Sequence, residues 1–150
     1  MDEESIDIKA APEQVWALVT DVTNMGRWSP ECHRCEWQGG ASGPAVGAVF
    51  KGWNKRGVMR WSTVSTVVVA DAPSHFAWEV TQSRMRWGYR FEPTADGGTT
   101  VTEYRDELGP KPRYVRLAYK LRLLGSDPDA IVRTGMQKTL ERLKAGAEAG

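Results

Sequence analysis

The sequence is poor in the residues that carry metal and nucleophilic chemistry, with only two histidines and two cysteines. It is equally poor in net charge: 20 Lys and Arg against 19 Asp and Glu leave +1, which argues against a general nucleic-acid binder. No run approaches the roughly 20 apolar residues of a membrane span. The acidic start, MDEESIDIKA, lacks the basic-then-apolar layout of a signal peptide. A Ser/His/Asp order, a phosphate-cradling glycine loop and a paired-carboxylate motif are all missing. What remains is the expectation of one cytoplasmic domain over residues 1–150. It is long enough to bury a real core, and no cofactor, metal or nucleic-acid partner is expected.

Both cysteines fall in Cys32-His33-Arg34-Cys35. A CxxC is either a redox pair or half of a zinc site. The residues that follow, Glu36-Trp37-Gln38, read as a strand, on which cysteines three apart point to opposite faces. The expectation is two separate thiols that share neither a disulfide nor a metal, and no second Cys/His pair completes a tetrahedral site.

Tryptophan is the residue in excess: seven in the chain, all before residue 90. The last long helix, expected over Asp129 to Ala147, gives the rest of the chain something to wrap. Asp127 offers a capping carboxylate and Pro128 stands where no N–H is needed. Ile131, Val132, Met136, Leu140 and Leu143 recur at helical spacing, with Arg133, Gln137, Lys138, Glu141 and Lys144 on the other side.

Upstream the pattern is mostly β. Ser5 to Lys9 alternates as a first strand. A helix follows Pro12, with Val15, Trp16, Leu18 and Val19 as its apolar positions, and a turn-like helix covers Val22 to Gly26. Strands are expected over Cys32–Gly39, Val46–Asn54, Val58–Ala70, His75–Gln82, Arg84–Glu92 and Thr99–Leu108. Asp96-Gly97-Gly98 is the clearest hairpin turn. The sum is an α+β chain with a curved antiparallel sheet of about seven strands.

Alternation assigns the faces. Met85, Trp87, Tyr89 and Phe91 share one side, against Arg84, Arg86, Arg90 and Glu92 on the other. Phe76, Trp78 and Val80 alternate with His75, Glu79 and Thr81, which sends His75 outward. Phe50, Gly52 and Asn54 form one set and Lys51 and Trp53 the other. If Val101 points inward, so do Glu103 and Arg105. An inward carboxylate is costly unless paired, and the plain expectation is a Glu103–Arg105 ion pair. Residues 109–125 carry Lys111, Arg113, Arg116, Lys120 and Arg122 beside Tyr114, Leu117, Ala118, Leu121 and Leu124. This basic amphipathic segment reads as a lid whose leucines pack on the domain, with peripheral membrane or partner contact left open.

The order of strand, two short helices, about six antiparallel strands and a long C-terminal helix is the helix-grip arrangement. Residues 11–16 (Ala11-Pro12-Glu13-Gln14-Val15-Trp16), followed by Asp21 and Trp28, resemble the opening of the START-like, Bet v 1-like (SRPBCC) superfamily of polyketide cyclase/dehydrase type. Arg60-Trp61-Ser62, Phe76-Ala77-Trp78, Phe91-Glu92-Pro93, Gly97-Gly98-Thr99 and the run from Thr139 to Lys144 look like the same group, small actinobacterial members above all. The resemblance covers nearly the whole chain.

It implies a hydrophobic or amphipathic small molecule, lipid-like or polyketide-like, held between the sheet and the last helix. The site expected on that footing has Phe50, Trp61, Trp78, Trp87 and Tyr89 on the sheet and Met136 and Leu140 on the helix. Asn54, Glu103 and the Tyr89 hydroxyl are its polar groups. The first functional expectation is a binding or carrier protein, monomeric or a weak homodimer. The second is a cyclase/dehydrase-like enzyme with Glu103 as buried acid/base and Tyr89 as donor. The third is a membrane- or partner-interacting protein acting through residues 109–125.

Overall fold

The computed structural model describes residues 2–109, 113, 117 and 128–149. Seven strands form one antiparallel sheet: β1 (Asp2–Ile8), β2 (Cys32–Gln38), β3 (Val49–Arg56), β4 (Met59–Asp71), β5 (His75–Val80), β6 (Met85–Pro93) and β7 (Thr99–Glu107). Their spatial order is β1-β7-β6-β5-β4-β3-β2, so β2 to β7 meander and β1 pairs with β7. Between β1 and β2 the chain makes α1 (Pro12–Thr20), a 3-10 turn (Val22–Asn24) and α2 (Met25–Trp28). The last helix, α3, runs Pro128–Ala149. This is the α+β helix-grip arrangement that the strand and helix order predicts.

Local chemistry explains the joints. α1 starts at Pro12, whose missing N–H costs nothing at a first helical position. Asp21 caps the 3-10 turn by accepting from the Thr23 N–H. Gly57 and Gly97 both have positive φ and sit in the β3–β4 and β6–β7 turns. The strand ends differ from expectation by a few residues, as frayed ends do.

α3 presents Met136, Leu140, Leu143 and Ala147 as its buried stripe. Ile131, expected in that stripe, lies off it and is exposed, because the buried positions run back through Val132, which is half-buried. The Asp127 cap lies outside the described residues. On one flank α3 follows β1: Gln137 reaches Glu4, the Lys144 ammonium donates to the Asp7 carbonyl at 2.8 Å, and Glu148 accepts from the Lys9 N–H at 2.9 Å. On the other flank Arg142 donates to the Trp28 carbonyl, and a Cβ on Gly146 would stand 3.0 Å from the Trp28 ring. The helix therefore bridges one edge of the sheet to α2, which covers the other edge at β2.

Two expectations about side chains fail. Cys32 and Cys35 do not diverge: a bulge between Cys32 and Arg34 inserts an extra residue and resets the alternation, and the two sulfurs lie 3.5 Å apart. Glu103 and Arg105 do face inward, as Val101 does, but they do not form the expected ion pair. Arg105 reaches across to Asp2 on β1 at 2.7 Å, and Glu103 finds a different partner.

Candidate functional site

The concave face of the sheet is built from alternate positions of neighbouring strands. The register sets Phe50 against Ser65, Trp78 against Trp87, Phe76 against Tyr89, and Tyr89 against Glu103. Rings touch in a continuous chain along it. Trp37 meets Phe50 edge-on at 5.7 Å and Phe50 meets Trp78 at 5.8 Å. Trp78 stacks on Tyr89 at 5.9 Å, and Tyr89 on Phe91 at 6.2 Å. Trp16 of α1 closes the far side, edge-on to both Phe76 and Phe91. Offset and edge-on contacts of this kind add stability beyond area burial.

The two ends of this face differ in burial. Ile8, Val67, Phe76, Phe91, Thr99 and Val101 are fully buried at the end covered by α1. At the opposite end, where β4 and β6 begin and β7 finishes, Asn54, Trp61, Thr63, Trp87 and Arg105 are half-buried, while Val80 and Met85 on the same face are buried.

Glu103 lies between the two ends, buried on β7. Its Oε2 accepts from the Tyr89 hydroxyl at 3.1 Å. Its Oε1 is buried without a hydrogen-bond partner among the described residues, an uncommon and costly state for a polar atom. Burial pushes the carboxyl up to about 8, against the opposing pull of the Tyr89 hydrogen bond. Burial first, and then the neighbouring Glu103, raise the Tyr89 phenol well above its ordinary value. At neutral pH Glu103 is thus largely the neutral acid. With Oε2 occupied by Tyr89, its proton belongs on Oε1 as a donor with no acceptor among the described residues.

The structure brings together Phe50, Trp78, Tyr89 and Glu103 of the expected residues, and sets Trp87 beside Trp78. Met136 and Leu140 are buried on α3. Asn54 and Trp61 are register partners near the β3–β4 turn, outside the ring chain. Sequence reading left out Trp16, Trp37, Phe76 and Phe91 as site residues. The alternation that singled out Trp78 and Tyr89 marks Phe76 and Phe91 equally, whereas nothing local marks the reach of Trp16 from α1. His75 points outward as expected, its Nε2 2.6 Å from the Tyr104 hydroxyl. Of residues 109–125, most lie outside the described residues; Arg113 and Leu117 are exposed. A separate cleft of about 580 Å³ opens beside the β2–β3 connection, lined by Gln38, Gly39, Gly40, Gly47 and Val49 among others.

The family model described as polyketide cyclase/dehydrase and lipid transport matches residues 3–148. A Polyketide_cyc-like protein from Corynebacterium glutamicum is 36% identical in sequence, with 98% of this chain and 90% of that one aligned at a TM-score of 0.67. Two more distant structures share the fold. The di-domain ARO/CYC protein StfQ of the steffimycin biosynthetic pathway is 13% identical at a TM-score of 0.71, over 99% of this chain and 44% of its own. An AHSA1-like protein from Aeromonas hydrophila is 22% identical at 0.64, over 99% of this chain and 93% of its own. No curated protein matches the chain. No helix among the described residues is long and apolar enough to cross a membrane.

Proposed function

The chain belongs to the polyketide cyclase/dehydrase and lipid transport family, and on that premise we propose that it is a binding or carrier protein for an amphipathic small molecule. The apolar part of the ligand lies along Phe50, Trp78 and Trp87, beneath Met136 and Leu140, and enters past Trp61 and Asn54. Its polar end meets Glu103. The single observation that carries this reading is the buried Glu103 Oε1 with no partner among the described residues: a hydrogen bond donated to an acceptor on a ligand satisfies the group left unsatisfied.

The same atom narrows the ligand. A carboxyl pushed up to about 8 is neutral and a donor at pH 7. It favours an uncharged acceptor such as a ketone, an ester carbonyl or a hydroxyl, and disfavours a buried carboxylate or phosphate. Lipid-like and polyketide-like molecules with a neutral oxygen at one end fit that description. The test is tryptophan-fluorescence titration with paired probes of equal chain length, a long-chain methyl ketone and the corresponding fatty acid. The ketone binds more tightly at neutral pH, and Glu103→Leu removes the preference. Equal binding of both probes by both proteins contradicts the reading.

One observation favours a second reading, a cyclase/dehydrase-like enzyme. A carboxyl near 8 beside a phenol is in the range of a general acid/base at neutral pH. In that case Glu103→Gln abolishes turnover of a ketone-bearing substrate while its affinity changes little. Parallel loss of both belongs to the carrier.

A further inference from the structure

The edge strand β2 carries a group of sulfurs that the ligand site does not use. The bulge between Cys32 and Arg34 turns both cysteines to one side, with their Sγ atoms 3.5 Å apart. Met25, from α2 above the strand, places its Sδ 3.8 Å from Cys35 Sγ. Both cysteines are buried, 6% and 4% exposed. Glycines make the room. Gly52 stands opposite Cys35 on β3, where a Cβ would lie 3.3 Å from Cys35 Sγ and 3.6 Å from Cys32 Sγ. Gly26, next to Met25, lets α2 press onto β2: a Cβ there would fall 2.5 Å from the His33 carbonyl oxygen.

We propose that Cys32, Cys35 and Met25 form a binding site for one thiophilic monovalent metal ion of the Cu(I) class. Metal–sulfur bonds of about 2.3 Å in a trigonal plane hold their sulfurs about 4 Å apart. The Cys32–Cys35 separation of 3.5 Å and the Cys35–Met25 separation of 3.8 Å reach that spacing with shifts of a few tenths of an ångström. Zinc takes four donors in such sites. Among the described residues no group of three His, Cys, Asp or Glu gathers to supply them. Two thiolates and a thioether are the soft set that selects Cu(I). A disulfide needs the sulfurs to close to about 2.05 Å and gives Met25 no part.

Binding is ligand exchange without a change of oxidation state. Copper enters as Cu(I), each thiol releases its proton to solvent, and two Cu–S bonds form with the Met25 thioether as third donor. Glu103, on β7, is five strands away in the sheet order, so this site stands or falls independently of the proposed ligand.

The experiment is anaerobic titration of the reduced protein with Cu(I) in competition with a chromogenic Cu(I) chelator, read also by native mass spectrometry. The expected result is one chelator-resistant copper per chain, with a mass gain at a given charge state of one copper less one proton (two thiol protons leave and Cu(I) supplies one charge), lost in Cys32→Ser and in Cys35→Ser. Met25→Leu, a near-isosteric change that keeps the core filled, weakens retention by roughly tenfold or more, the scale on which even outer-shell changes weaken metal sites. Should the serine variants fail to fold, Met25→Leu decides. The proposal is overturned if the wild type yields all its copper to the chelator, if Met25→Leu retains copper as the wild type does, or if the two thiols form a disulfide while no copper is held.

Discussion

The Tyr89 hydroxyl donates to Glu103 Oε2 across the β6–β7 pair at 3.1 Å, and this bond is the only one the Glu103 carboxyl makes among the described residues. One oxygen satisfied and one not is a poor arrangement for stability, since a buried polar atom without a partner costs about 1–3 kcal/mol. It is a good arrangement for receiving a ligand, because the missing bond is already aimed and desolvated.

The cost has a pH signature. Glu103 titrates near its ordinary 4.5 in the unfolded chain and at about 8 in the folded one. Between those values the folded state holds a proton that the unfolded state has lost, so unfolding free energy falls as pH rises. This contribution is whole below about 4.5 and gone above about 8. Denaturant melts at a series of pH values are expected to show the decline in the wild type and a flatter profile in Glu103→Gln, which is the more stable of the two at pH 8.5. Parallel profiles would mean that Glu103 ionises normally.

Removing the Tyr89 hydroxyl leaves Glu103 with neither oxygen satisfied. Tyr89→Phe is expected to lower stability by roughly 1–3 kcal/mol and to raise the Glu103 midpoint further, because the bond that opposes the effect of burial is gone. The midpoint is readable from the carboxyl resonance of Glu103 in an NMR titration. A downward shift contradicts the assignment.

Trp78 touches Phe50, Phe76 and Tyr89 and joins the halves of the ring chain. Trp78→Ala is expected to cost about 3–5 kcal/mol, measured by urea denaturation. Trp61→Ala, at a half-buried position outside the ring chain, is expected to cost much less while weakening ligand uptake. Equal destabilisation by the two changes would make Trp61 as much a core residue as Trp78.

On the convex face, Tyr104 lies flat over Gly88, where a Cβ would stand 2.3 Å from the ring. Gly88→Ala must therefore displace Tyr104 from its 2.6 Å contact with His75. The expected loss is about 1–3 kcal/mol, and Tyr104→Ala should relieve it in a double-mutant cycle.

Much of this was legible in the sequence, for a stated reason. Period-two alternation assigns Trp87, Tyr89 and Phe91 to the concave face wherever a strand is regular, and it carries Glu103 inward with Val101. It misleads where a strand is irregular. The bulge at Cys32/Arg34 breaks the period, so two cysteines assigned to opposite faces share one side. Pairing across the sheet is not local at all: Arg105 takes Asp2 from the far end of the chain, and sequence proximity alone suggested Glu103. The helix stripe erred at Ile131 for a similar reason, since the neighbours of α3 decide which arc of its surface is covered.

The most direct test of the central claim is native mass spectrometry of freshly purified protein, followed by denaturing extraction and identification of whatever is released. The account predicts a stoichiometric small molecule, largely apolar with a neutral oxygen at one end, which disappears in Glu103→Leu. A wild-type protein that is free of adduct, and that takes up none of a panel of long-chain ketones, esters and alcohols, would contradict it.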